Sequence, residues 1–234
     1  MGLADMREVA HLDPFDLIDA EARRIDRFFS GLGAGQWKEP TRCAGWDRGD
    51  LLTHLAVVED YTRACLDDTL DELMARVRAQ GSGGLDDWGF RRRAGRSPEE
   101  ILAEWRRLSA DSRRRLRERG SDGTMTTSVG PYPVGRQTFY LASEAAIHAD
   151  DAGVPVEAGG RTARLDWRVR FSRVALREYE RPVEVEPRAG AHVVRKGVLE
   201  ATLSDEDFME AAAGRLPDDH PLPAELREAL AVLN

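Results

Sequence analysis

Three side chains in this sequence are of types that hold metal ions, and their spacing lets them meet. Glu144 and His148 lie four residues apart, so on a helix they project side by side from consecutive turns. His54 stands some 90 positions earlier and has to reach them from another helix. Two imidazoles and a carboxylate inside a helical bundle can hold a divalent ion and leave one coordination position open, as catalytic sites do. Each residue alone also has a plain structural reading. Glu144 could bond an arginine, His148 could cap a neighbour, and His54 could be a satisfied core histidine. Asp151, three residues past His148, could orient an imidazole by accepting its free N–H, or be a solvated helix-end aspartate. Glu59 and Asp60 read as surface residues. His11, His192 and His220 have no partner at a ligand spacing.

The elements that must position these groups follow from apolar periodicity. A first helix runs from Asp13 to Leu32, with Ile18, Ala22, Ile25, Phe29 and Leu32 on one stripe, and the glycines of 31–35 end it. A connector follows, with Trp37 and Trp46 as anchors. Helix two starts near Asp47 and runs to about Asp71, with a continuation toward Arg78; its inward stripe includes Leu51, His54, Leu55 and Val58. Residues 81–96 read as a loop. Ser97-Pro98-Glu99-Glu100 is a strong helix start, and helix three then faces inward through Leu102, Trp105, Ser109, Ser112 and Leu116. Residues 121–135 are too rich in Gly, Pro, Ser and Thr for a helix. Helix four, about 136–152, carries Leu141, Glu144, Ala145 and His148 on one face and closes at Gly153. Helices of these lengths fit an antiparallel bundle.

After Pro155 the character changes. A helix over 164–180, strands near 182–187 and 191–198, and helices near 204–214 and 222–233 are expected. The fold class is therefore mainly α: a four-helix bundle over 1–155 and a small α+β segment over 156–234.

Apolar content of 41% and charged content of 32% are ordinary for a soluble globular protein. No apolar run approaches the roughly 20 residues that span a bilayer. The N-terminus lacks the basic-then-apolar pattern of a signal peptide, so a cytoplasmic protein without a membrane partner is expected. A net charge of −8 argues against a nucleic-acid partner. The arginines of 91–96 and 113–115 read as coats of solvated faces. Cys43 and Cys65, the two cysteines, form no CxxC pair and read as reduced packing residues. A monomer or homodimer acting on a small molecule fits these bounds.

PTRCAGWDRGDLLTHLA (40–56) resembles the signature around the first ligand in the mycothiol-dependent maleylpyruvate isomerase N-terminal domain family. SEAAIHADDAG (143–153) is similar to its second signature: a glutamate, a histidine four residues on, an aspartate three beyond. The resemblance covers roughly 13–155. It implies a DinB-like metal-binding bundle with His54, Glu144 and His148 as ligands. It also implies zinc, or another divalent ion such as nickel, and mycothiol as cosubstrate. Trp46 of the signature is present, but Asp47-Arg48-Gly49 stands where Thr-Val-Arg is usual. The C-terminal segment is shorter and more charged than the isomerase proper, whose C-terminal domain supplies a substrate arginine. Arg195 and Arg215 are available here, and neither aligns, which leaves the particular reaction open.

An ion with a free position favours the thiolate form of a thiol whose pKa is about 8.5. Such a nucleophile adds to an electrophilic alkene or displaces a leaving group. On a cis-enedioate, reversible addition permits rotation, and elimination gives the trans isomer. Loop 121–135 should rim the open side, with Tyr132 and Arg136 as candidates for thiol contacts or, on the plainer reading, for turn packing and a solvated helix start. The functions in play are a mycothiol-using isomerase or thiol transferase, a metal-dependent hydrolase of an amide or thiol conjugate, and a non-catalytic stress or interaction module with a closed site.

Overall fold

The computed structural model describes residues 5–81 and 83–233. Helix α1 (Pro14–Ser30) buries Phe15, Ile18, Ala22, Ile25 and Phe29, a stripe at helical spacing. Helix α2 (Arg48–Leu66) opens on a reciprocal cap, in which the Asp47 side chain accepts from the Asp50 N–H and Asp50 accepts from the Asp47 N–H. It ends at Leu66, short of the expected Asp71. Asp68 turns left-handed at φ 56°, and the Thr69 N–H reaches back to the Ala64 carbonyl, a Schellman stop in which aspartate takes the place usual for glycine. A separate helix α3 (Leu70–Ala79) follows.

Helix α4 (Leu85–Arg93) stands where the glycines of 81–96 predict a loop. Tertiary contact overrides weak propensity here. Trp88 is buried, and a Cβ on Gly89 would come within 2.1 Å of the Val57 methyl, so only glycine lets α4 lie this close to α2. Asp86 and Asp87 occupy its first turn and Arg91–Arg93 its last, matching the helix dipole. Arg93 does not coat a solvated face. It is 2% exposed and donates to Asp60 (2.9 Å) and Glu104 (3.1 Å).

Helix α5 (Pro98–Arg119) starts at the Ser97/Glu100 capping box. Residues 121–135 form an antiparallel hairpin of β1 (Thr124–Thr127) and β2 (Gly130–Pro133) rather than an irregular loop. With four residues per strand, its alternation is too short to register as a period. Helix α6 (Val134–Asp151) completes the bundle. It packs on α1, which also packs on α5, while α2 packs on α5. Ala142, Ala146 and Ala149 are fully buried on α6 and keep these approaches close. Ile25, Leu51, Leu55, Leu102 and Trp105 centre the core, and Phe29 stacks on Trp37 at 5.6 Å.

The chain divides into two compact units. One is the bundle, Pro14–Pro155; the other holds residues 5–13 and 156–233 of the described chain, so the N-terminal stretch groups with the C-terminal part. In this second unit, α7 (Arg161–Glu178) accompanies a three-stranded antiparallel sheet in the order β3 (Glu184–Arg188), β4 (Ala191–Lys196), β5 (Leu199–Ser204). The expected strand over 191–198 stops at Gly197, whose φ of 60° makes the turn into β5. Helices α8 (Asp205–Ala212) and α9 (Ala224–Leu230) cover a core of Val194, Leu203, Phe208 and Leu226. Glu8 pairs with Arg173 and Arg177, tying residues 5–13 to α7. No helix among the described residues is long and apolar enough to cross a membrane.

Candidate metal centre

His54 sits in the second turn of α2, and Glu144 and His148 lie on the last turns of α6. The structure brings the three together, with one ligand atom from each within 4.8 Å of the others. Glu144 Oε1 is shared: the Nε2 of His54 lies 3.1 Å from it and the Nε2 of His148 lies 3.2 Å from it. The two imidazole rings meet edge to face at 4.6 Å. Each ring turns its other nitrogen to a second carboxylate. His54 Nδ1 is 2.8 Å from Asp86 Oδ1, and His148 Nδ1 is 3.1 Å from Asp151 Oδ2. The result is a chain of five groups, carboxylate–imidazole–carboxylate–imidazole–carboxylate, with the central one common to both halves.

The surroundings fix this chain in place. The loop before α2 is closed by the Thr41 hydroxyl, which donates to the Trp46 carbonyl (2.9 Å) and accepts from the Cys43 N–H (3.1 Å). The Arg42 N–H donates to the Asp151 carbonyl, anchoring that loop on the end of α6. This places Cys43 beside His148. Its thiol donates to Asp151 Oδ2 (3.2 Å), and its sulfur is 3.7 Å from His148 Nδ1. Trp46 packs its ring 5.1 Å from His54 and 5.5 Å from Phe90 of α4.

Burial alone would lower both histidines and raise Glu144. Hydrogen bonding wins in all three. Contacts to Asp151, Cys43 and Glu144 push His148 up to about 11, Asp86 and Glu144 raise His54, and the two imidazoles hold Glu144 far below the usual carboxylate range. Protons and a metal ion therefore compete for the same atoms.

The donor set fits a divalent ion. Zinc bonds of about 2.0–2.2 Å at a tetrahedral angle separate neighbouring N and O ligands by about 3.4 Å, close to the 3.1 and 3.2 Å found across Glu144. Carboxylates behind the imidazoles are what metal-bound histidines use to fix ring orientation. Glu144 keeps about a third of its side chain exposed (32%), so the cluster is reachable from its side.

Asp151 is wholly buried, not a solvated helix end. Tyr132 and Arg136 do not join the cluster. Tyr132 is buried in β2 against Tyr140. Arg136 is buried in the first turn of α6, eight residues or about 12 Å of helix rise before Glu144. Sequence reasoning missed Asp86, assigned to a loop, and Cys43, assigned to packing. Glu59 is buried rather than exposed; burial pushes its carboxyl up against the partial relief offered by Ser112 and Ser109. It lines a small cavity of about 30 Å³ that reaches along the bundle to Glu144. In the second unit, Arg195 is engaged by Glu186 (2.9 Å) and Glu200 (2.5 Å), and His192 lies stacked on Phe208.

A four-helix bundle whose interior imidazoles converge on one carboxylate defines the class: a bundle with a residue group that could hold a divalent ion. The chain belongs to the mycothiol maleylpyruvate isomerase N-terminal domain family, whose sequence model matches residues 18–153. That span holds every residue of the cluster, and the fold is the DinB-like bundle expected of the family. No curated protein and no solved structure matches the chain.

Proposed function

We propose that the protein holds a divalent ion, zinc by preference, through His54, Glu144 and His148. With it, the protein acts as a mycothiol-using isomerase or thiol transferase on a small electrophile. The observation that carries this reading is the convergence of both Nε2 atoms on Glu144 Oε1 while both Nδ1 atoms are tied to carboxylates, in a chain that belongs to a mycothiol-named family. A bound ion supplies Lewis acidity, which favours the thiolate of an incoming thiol at neutral pH.

The protein's own residues do the positioning. Asp86 and Asp151 hold the two rings in the orientation that presents Nε2, and Glu144 supplies the charge that lets a dication sit in a half-buried site. Trp46 and Phe90 give one wall an apolar surface. None of these side chains needs to move a proton for the thiol to react. The reducing cytoplasm, where such thiols are kept reduced, is the setting we assign to this chemistry, with the second unit as a separate small α+β segment.

The test is turnover of an electrophile such as maleylpyruvate, or a chlorinated aromatic for thiol transfer, by ion-loaded protein with and without mycothiol. Turnover that requires the thiol and disappears in His54→Ala supports the reading. Hydrolysis of an amide or thiol conjugate by the ion-loaded protein, with no thiol added, would transfer the site to the hydrolase reading. No turnover of either kind by an ion-loaded protein would make it a non-catalytic module.

A further inference from the structure

We propose that Cys43, Asp151 and the Nδ1 side of His148 form a second cation seat for a thiophilic divalent ion such as zinc or cadmium, back to back with the first across the His148 ring. The donor atoms are mutually placed for it. Cys43 Sγ lies 3.2 Å from Asp151 Oδ2 and 3.7 Å from His148 Nδ1, and Nδ1 lies 3.1 Å from Oδ2. A tetrahedral ion with a sulfur ligand at about 2.3 Å and N and O ligands near 2.1 Å sets edges of about 3.4–3.6 Å. The three separations bracket these values, so side-chain shifts of a few tenths of an ångström seat the ion.

The donor types select its chemistry. A thiolate beside an imidazole and a carboxylate suits zinc-like ions and discriminates against calcium and magnesium, which take oxygen ligands. Asp151 has no exposed side-chain surface, and a carboxylate buried that deeply needs partners of positive charge or strong donors. Besides His148 and Cys43 it has the Arg42 guanidinium at 3.9 Å. Cys43 is half-buried, which leaves solvent access for a fourth ligand.

The seat rests on the proposed function only through His148, whose ring serves one ion with each nitrogen. Filling both seats releases both ring protons and the Cys43 thiol proton to solvent and brings two dications near each other. The second ion therefore binds more weakly than the first. Cys43 and Asp151 thus orient His148 when one ion is bound and ligate when a second arrives.

Cadmium titration of the full chain tests this, following the ultraviolet charge-transfer band of a thiolate–cadmium bond together with stoichiometry. Wild type should take up two equivalents, the weaker one raising the band. Cys43→Ser should take up one equivalent with no band, its affinity within about tenfold of the wild-type first equivalent. His54→Ala should lose the tight equivalent and keep the band. Cys65→Ala, which alters the other cysteine, should keep both. One equivalent without a band in wild type overturns the seat, with no dependence on how any variant folds. A band that survives Cys43→Ser overturns it too. A Cys43-dependent band with no tight equivalent would instead sustain this seat and remove the three-ligand site.

Discussion

The two halves of the centre use the same device and differ in how firmly it is held. On the His148 side, the orienting carboxylate is Asp151, on the same helix one turn away, with its side chain fully buried and further gripped by Cys43. On the His54 side it is Asp86, 47% exposed, delivered by a nine-residue helix that follows a run of glycines. One imidazole is therefore preset by a rigid, dry neighbour. The other depends on α4 being docked. A solvated carboxylate contributes less orientation and less basicity than a buried one, because water competes for it and screens it.

Glu144, common to both halves, should show the largest effect. Glu144→Ala removes a proposed ligand and leaves two imidazoles without their shared acceptor, so ion affinity measured by competition with a chelating dye should fall by more than the 10–100-fold or so that an outer group commands. Next comes Asp151→Asn, expected near the upper end of that range, about 100-fold, with Asp86→Asn near the lower end, about tenfold. Equal losses in the two variants would break the asymmetry. Gly89→Ala sharpens it further. The added methyl meets Val57, so α4 must shift; the fold should lose about 1–3 kcal/mol in a denaturant titration. Ion affinity should then drop to the level of Asp86→Asn and no lower.

The last prediction concerns pH rather than a substitution. His148 is raised from 6.5 to about 11 in the fold, so its contribution to stability is present in full below 6.5 and is lost as pH rises through 11. Glu144 is depressed, so its contribution is present above its ordinary 4.5 and is lost as pH falls. Chelator-treated protein should therefore lose Tm steadily above about pH 6.5, whereas ion-loaded protein should not, since an ion replaces the protons and binds better as they leave. Parallel melting curves for the two forms across this range would count against protons and ion sharing these atoms.

What the sequence revealed follows the same division. The bundle helices were legible because each carries an apolar stripe over three or more turns, and His54, Glu144 and His148 lie on those stripes. Asp86 was hidden because α4 has no stripe of its own. Gly89 weakens its propensity, and packing on Val57 with the Arg93 bonds to Asp60 and Glu104 holds it in place. Cys43 was hidden for another reason. It sits in a loop without periodicity, whose path is set by the Thr41 hydroxyl and the Arg42–Asp151 backbone bond, contacts that no spacing encodes. Glu59 was misplaced because, past His54, it reads as lying on the outer side of α2, although its helix face turns it toward Ser109 and Ser112.

Elemental analysis of purified, dialysed protein beside its His148→Ala variant reads the proposed metal site itself. The parent should carry about one tightly held divalent ion per chain and the variant close to none, with the helical circular-dichroism signal retained because the apolar stripes are untouched. Equal ion content in parent and variant would contradict it.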